Sequence, residues 1–76
     1  MNSEVELKYF IRVNYVIEQT MIMKTYRIPK NLVEKLHDGI EQFIYDRICN
    51  DKNTDKIELV MMILCDENDN IIKSII

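Results

Sequence analysis

Apolar and polar residues alternate along the chain from residue 4 to residue 15. The apolar set is Val5, Leu7, Tyr9, Ile11, Val13 and Tyr15. Successive side chains of a β-strand point to opposite faces, so this period of two predicts a first strand with one apolar face. Phe10 interrupts the polar side, where Lys8 and Arg12 flank it. The first strand therefore carries an aromatic ring and two cations on the side away from its apolar face.

The alternation loses its phase over residues 16–20, and we place a reversal of the chain there. Residues 21–28 then predict a second strand, because they are rich in β-branched residues, Met and Tyr. No Asn-Gly or Asp-Gly pair marks the reversal. The alternative is therefore a single long, bent strand through the whole region.

A helix is predicted from Pro29 to about residue 50, because apolar residues recur there at spacings of three and four. These residues are Leu32, Val33, Leu36, Ile40, Phe43 and Ile44. Pro29 suits the first helical position, where an N–H would have no partner within the helix. Gly39 lies inside the predicted helix and costs about 1 kcal/mol relative to alanine.

The end of the chain predicts two more strands. A polar loop at residues 50–55 leads to a third strand over residues 56–65, and a turn at residues 66–70 leads to a fourth over residues 71–76. In the third strand, one set of alternate apolar residues is Ile57, Leu59, Met61 and Ile63. The opposite set is Val60, Met62 and Leu64.

Together these elements predict an α+β fold in the order β-β-α-β-β, formed by residues 1–76 as a single small domain. Consecutive strands pair as hairpins, and the connection through the helix is a right-handed crossover. The preferred arrangement is a four-stranded antiparallel sheet in the order 2-1-3-4, with one helix packed on one face. The longest and most apolar strands then lie in the centre.

One helix covers one face of such a sheet, yet the third strand is apolar on both sides. Antiparallel sheets with a solvated face usually alternate cleanly between apolar and polar residues. We therefore predict that Val60, Met62 and Leu64 form an oligomer interface, most simply in a homodimer. The alternative is that sheet twist and long side chains hide the second face.

Composition and charge narrow the classes of function. The 13 acidic and 10 basic residues give a formal net charge of −3, which disfavours direct nucleic-acid binding because that class normally presents a basic field. Cys49 and Cys65 lie in no metal-ligand spacing, which indicates two reduced thiols. No apolar run is long enough to span a bilayer, and no signal-peptide pattern follows Met1. We therefore expect no membrane partner and a cytoplasmic protein, in the host cytoplasm if it is encoded by a phage.

No motif in the sequence specifies catalysis. Asp66, Asn68 and Asn70 resemble the start of a calcium loop, but the position of its glycine is occupied by Ile71 and its final glutamate would lie past residue 76. A hairpin turn explains these residues better. His37, the only histidine, is expected at the edge of the apolar stripe without a special role. We predict no metal site, no cofactor and no enzymatic activity.

Two acidic groups are the predicted contacts for a protein partner. The first is a stripe along one flank of the predicted helix, and the second is the turn before the last strand. Their members are Glu34, Asp38, Glu41 and Tyr45 in the stripe, and Asp66, Glu67 and Asp69 in the turn. A solvated helix face is the commoner explanation of such a stripe, and the competing explanation is a docking surface for a basic protein.

A second hypothesis gives the chain a nucleic-acid-binding role through Lys8, Phe10 and Arg12, since some sheets present aromatic rings and cations to nucleic acid in this way. Residues 21–36, MIMKTYRIPKNLVEKL, resemble the strand-to-helix entry of ribbon-helix-helix DNA-binding proteins. That resemblance implies a dimeric DNA-binding regulator whose strand residues read the major groove. A strand, rather than a second helix, follows in this sequence, and no residue role is carried over.

In general type the chain is similar to the short phage-encoded proteins that block host defence systems, including anti-CRISPR proteins. Such proteins are typically small, acidic and without catalytic motifs. We therefore predict a non-catalytic protein-interaction module, an inhibitor from a phage or mobile element that binds and occludes a host nucleic-acid-handling complex. The alternatives are the dimeric nucleic-acid-binding regulator and a self-associating structural or assembly component.

Overall fold

A computed structural model describes residues 8–76 of the chain. The elements in order are β1 (Lys8–Ile17), β2 (Thr20–Pro29), α1 (Lys30–Leu36), a 3-10 turn (His37–Gly39), α2 (Ile40–Lys52), β3 (Glu58–Cys65) and β4 (Ile71–Ser74). The predicted α+β class is confirmed. The start of the predicted first strand, with Val5 and Leu7, lies outside the described residues.

The four strands form one antiparallel sheet in the predicted order, β2-β1-β3-β4. β1 and β2 pair without interruption from Lys8 opposite Pro29 to Ile17 opposite Thr20. The turn between them contains only residues 18 and 19, which have φ values of 51° and 65°, as two-residue hairpin turns of type I′ require. The reversal at residues 16–20 is therefore confirmed, and the alternative of a single bent strand is wrong.

One hydrophobic core lies between the sheet and the helices. Its buried residues are Ile11, Val13, Tyr15, Tyr26, Ile28, Val33, Ile40, Ile44, Ile48, Met62 and Leu64. The three isoleucines of α2 are spaced four residues apart, which places them along one side of the helix. Full burial of a side chain of this size contributes about 1.5–3 kcal/mol. The stripe on α2 therefore holds the helix against the sheet.

The predicted helix is divided in two by the 3-10 turn at His37–Gly39. His37 has a φ of 51° and its backbone N–H donates to the carbonyl oxygen of Val33, which ends α1. A Cβ added at Gly39 would meet no atom within 4 Å, so the glycine does not serve the close approach of another backbone. On either side of the interruption both helices bury apolar residues, Val33 in α1 and the three isoleucines in α2.

A bulge in β3 changes which side chains face the helices. Asn14 of β1 lies opposite Met61, but the next residue, Tyr15, lies opposite Leu59. Val60 is therefore an extra residue on β3, and the alternation of faces shifts by one residue at that point. Ile57 and Leu59 pack against the core, whereas Met61 is on the opposite side.

The predicted interface at Val60, Met62 and Leu64 is wrong for two of its three residues. Met62 and Leu64 are 0% and 2% exposed, and they belong to the same cluster as Ile44 of α2. Both side chains are already covered within one protomer, so they cannot be reached by a second copy. Val60 is 44% exposed, at the bulge itself. Alternation counted straight through a bulge assigns the second half of the strand to the wrong face.

Candidate protein-interaction surface

The sheet face opposite the helices is called the open face here. It is formed by alternate residues of β1 and the residues directly opposite them on β2 and β3, because cross-strand partners share a face. Its members are Lys8, Phe10, Arg12, Asn14 and Val16 of β1, Met21, Met23, Thr25, Arg27 and Pro29 of β2, and Glu58, Met61, Ile63 and Cys65 of β3. Within residues 8–76, both helices pack on the other side of the sheet.

The part of the open face nearest the hairpin turn is apolar and accessible. Met21 and Met23 are 52% and 76% exposed, and Val16, which lies opposite Met21, is half-buried. Met61 and Ile63 of β3 are half-buried on the same face, with Asn14 and Arg12 of β1 between them and β2. Methionine is unbranched and polarisable, so it adapts to partner surfaces of different shape. Neighbouring exposed apolar residues of this kind commonly mark interaction sites. This region is suited to contact with another apolar protein surface.

The other end of the open face holds the aromatic and cationic residues predicted for nucleic acid. Lys8, Phe10 and Arg12 share this face, as predicted. Two of the three already have partners in the protein: the guanidinium of Arg27 lies 5.9 Å from the centre of the Phe10 ring, and Arg12 forms an ion pair with Asp69. Hydrogen bonding and charge attraction to Asp69 raise the pKa of Arg12. These contacts make the Phe10 ring and the Arg12 guanidinium less available to bind nucleic acid.

The acidic turn between β3 and β4 is held by the side chain of Asp66. Its Oδ1 accepts the backbone N–H groups of Asn68 and Asn70, each at 2.9 Å, and its Oδ2 accepts the side-chain amide of Asn70 at 3.3 Å. The backbone hydrogen bond from Asn70 is the main reason that the pKa of Asp66 is lowered, since it favours the ionised form. The sequence resemblance to a calcium loop is thus explained by a self-capped turn.

The other two acidic residues of this turn differ in their surroundings. Asp69 has a φ of 69° and pairs with Arg12, so it fixes the turn to the sheet. Glu67 is exposed and lines a shallow cavity with Phe10, Arg12 and Thr25. Of the three acidic residues in this turn, Glu67 is therefore the one whose side chain does not hold the turn in place.

The predicted acidic stripe does not run along a single helix. Glu34 belongs to α1 and its Oε2 lies 4.0 Å from the Nζ of Lys30. Asp38 lies in the 3-10 turn and Glu41 in the first turn of α2, where the helix dipole favours a negative charge. Asp38 and Glu41 line a shallow cavity together with Lys73 of β4. The flank is exposed, but its acidic residues are interspersed with lysines.

Tyr45, the aromatic member of the predicted stripe, has an internal contact. Its hydroxyl donates a 3.0 Å hydrogen bond to the backbone oxygen of Asp55, in the loop that precedes β3. Hydrogen bonding to Cys49, with a smaller effect of burial, raises the pKa of Tyr45. The side chain is half-buried, and its role in this contact is to tie α2 to the loop.

Sequence reasoning missed four apolar residues of the open face, two of which, Met21 and Met23, are among the exposed large apolar residues together with Val60, Ile71, Ile72 and Ile76. Met21, Met23, Met61 and Ile63 were not selected as an interface. A two-residue turn places Met21 and Met23 on the same face as Phe10, so the turn length would have identified them. Met61 and Ile63 depend on the bulge at Val60, which no local pattern reveals.

Within residues 8–76, no group of three or more His, Cys, Asp and Glu side chains is arranged to hold a metal ion. None of the helices in that range combines the length and apolar character needed to cross a membrane. No protein-family model, curated protein or solved structure matches this chain. Functional proposals therefore rest on the fold and on its surfaces.

Proposed function

We propose that this chain is a small non-catalytic protein-interaction module that binds another protein through the open face. The observation that carries the proposal is the accessible apolar surface around Met21, Met23 and Met61, on a sheet whose core lies on its other side. Apolar surface removed from water contributes about 25 cal/mol per Å². Covering this surface with a partner therefore supplies a driving force for binding.

The proposed partner is a protein of a nucleic-acid-handling complex, which the chain inhibits by occluding its working surface, in the manner of anti-CRISPR proteins. The net charge of −3 supports this class, because an acidic protein is attracted to the basic channels that guide nucleic acid. Glu67 lies at the end of the open face farther from the hairpin turn, beside Phe10 and Arg12, where it can contact a cation of the partner. Complementary charges of this kind chiefly raise the association rate and the specificity.

The open face and the acidic helix flank lie on opposite sides of the molecule. A single flat partner surface therefore contacts one of them and not both. The geometry favours the open face, because Glu34, Asp38 and Glu41 are well solvated and have lysines nearby. We assign the flank to a secondary contact, for a partner that wraps around the domain.

The test is affinity capture from lysate of the native host with tagged wild-type chain, followed by mass spectrometry and measurement of affinity for the captured protein. Met23→Glu places a charge at the most exposed apolar residue of the open face and is expected to abolish capture. Thr20→Glu is the matched control, because Thr20 is an exposed β2 residue whose side chain points away from the open face. Retention of the same partner by a folded Met23→Glu protein would contradict the proposal.

A direct nucleic-acid-binding function is the second candidate. It is favoured by the placement of Phe10, Lys8 and Arg27 on one face, since single strands bind to surfaces that combine aromatic rings with cations. A mobility-shift assay at low salt tests it with duplex and single-stranded DNA and RNA. Binding that is lost in Phe10→Leu would support this candidate, and the absence of any shift would exclude it.

A further inference from the structure

The two edges of the sheet differ in length and regularity. β4 is an edge strand of 4 residues, and its pairing with β3 contains a register shift. β2 is an edge strand of 10 residues that pairs with β1 without irregularity. Short strands and bulges are common ways to protect a sheet edge from pairing with another chain. β4 has both of these protections, and β2 has neither.

The hairpin turn determines which backbone groups of β2 point outward. The residues that flank a two-residue turn exchange backbone hydrogen bonds, and hydrogen-bonded pairs then recur at every second position. Thr20 and every second residue after it therefore bond to β1. The N–H and C=O groups that point to the outer edge belong to Met21, Met23, Thr25 and Arg27. No strand among residues 8–76 pairs with these groups.

We propose that β2 pairs antiparallel with β2 of a second copy of this chain, about a twofold axis at Thr25. In this register Thr25 lies opposite Thr25 of the second copy, and Met23 lies opposite Arg27. All of these residues have outward-pointing backbone groups. Three hydrogen-bonded residue pairs then form across the axis, and each pair exchanges two backbone hydrogen bonds.

Side-chain chemistry selects this register over its neighbours. Pairing centred on Lys24 would place two lysines directly opposite each other, which is unfavourable. Pairing centred on Thr25 instead places Lys24 opposite Tyr26 and Ile22 opposite Ile28. The Nζ of Lys24 already lies 5.7 Å from the centre of the Tyr26 ring in its own chain. Tyr26 and Ile28 are 7% and 2% exposed and are packed in the core of their own chain, so the Thr25 register is favoured because it keeps the two Lys24 side chains apart.

This arrangement makes one continuous eight-stranded sheet with the helices of both copies on the same side. The two open faces then merge into a single surface, in which the exposed methionines of both copies take part. The inference concerns the edge of β2 and goes beyond the proposed function. A dimer that captures no partner would support it while contradicting that function.

The first test is the solution mass of the full chain, measured by light scattering over a concentration series. The wild type is expected to be a dimer. Thr25→Lys places two lysines directly opposite each other across the axis, with Cα atoms about 5.5 Å apart, and we expect the dimer dissociation constant to rise about tenfold or more. Ser74→Lys, the same charge change on the exposed β4 edge, is expected to leave the mass unchanged. A wild-type monomer at the highest soluble concentration would overturn the inference, as would a dimer that Thr25→Lys does not weaken.

The second test examines the register itself through disulfide cross-linking under mild oxidation, with denaturing, non-reducing electrophoresis as the readout. Thr25→Cys places two thiols about 5.5 Å apart by Cα positions, within reach of a disulfide. Met21→Cys is the matched control on the same face of the same strand, where the two Cα atoms lie roughly 26 Å apart in the proposed register. Cross-linking of the Thr25 variant alone supports the register. Equal cross-linking of both variants, or of the control alone, overturns it.

Discussion

The two faces of this sheet take alternate residues from the same strands, yet helices cover one face and not the other. On the helix side of β1, Ile11 and Val13 are each 0% exposed, whereas on the open face Met23 of the neighbouring strand is 76% exposed. Both faces carry apolar side chains, and methionine occurs on each: Met62 is 0% exposed on the covered face and Met23 is exposed on the open face. Apolar composition alone therefore does not distinguish core from interface. The presence or absence of a covering element does.

The largest expected difference between the faces is in stability. Ile44→Ala removes a side chain that is 1% exposed, and we expect it to lower the free energy of unfolding by about 2–5 kcal/mol. Met23→Ala on the open face is expected to change it by no more than about 0.5 kcal/mol. Urea denaturation followed by circular dichroism measures both values. Comparable losses in the two variants would show that the open face is also packed in solution.

A smaller loss of stability is expected from breaking the hydrogen bond that joins α2 to the loop before β3. Tyr45→Phe removes the hydroxyl that donates to the backbone oxygen of Asp55 and keeps the ring. The expected loss is about 0.5–1.5 kcal/mol, the usual net value of one hydrogen bond. The same denaturation experiment measures it. A variant as stable as the wild type would indicate that water replaces the hydroxyl without cost.

On the open face, the ion pair between Arg12 and Asp69 is expected to contribute less. The two side chains are 44% and 67% exposed, and exposed ion pairs contribute about 0–1 kcal/mol. Arg12→Gln should therefore lower stability slightly, and the difference from wild type should decrease at high salt because exposed charges are screened. A loss well above this range, insensitive to salt, would mean that the turn is part of the core structure.

The smallest expected effect is the dependence on pH that comes from Asp66. Its pKa is lower in the folded chain than its ordinary value, so the unfolded chain binds the proton first as the pH falls. The stabilisation is complete above the ordinary pKa of about 4 and disappears as the pH falls through the folded value. Asp66→Asn is expected to weaken the acid dependence of unfolding below about pH 5. Identical profiles for the two proteins would remove Asp66 as the source.

Local patterns were sufficient to predict the elements and the strand order. The period of two in β1 and the spacing of apolar residues in the helix are visible within short stretches of sequence. The crossover rule then restricts how the elements connect. The order 2-1-3-4 follows from them. The predicted position of the hairpin is correct, although Glu18 and Gln19 are unusual residues for positive φ. The signal is the loss of apolar–polar alternation over residues 16–20.

Local sequence patterns did not predict which residues of β3 face the helices, nor the interruption of the helix. The bulge at Val60 depends on how β3 meets β1, a strand more than forty residues earlier in the chain. A shift of one residue exchanges the faces of every residue after it. The turn at His37 interrupts a stretch whose apolar spacing continues through it. The expectation of more apolar sheet than one helical layer covers was sound, but Met62 and Leu64 were the wrong residues.

The bulge in β3 also has a consequence for how the chain can change in length. Val60 is the extra residue, and the residues on either side of it already face opposite directions. A deletion of Val60 would turn the strand into a regular one without moving Leu59 off the core side or Met61 off the other. One amino acid can therefore be inserted or removed here in mid-strand during evolution. At other strand positions, such a change would move every later side chain to the opposite face of the sheet.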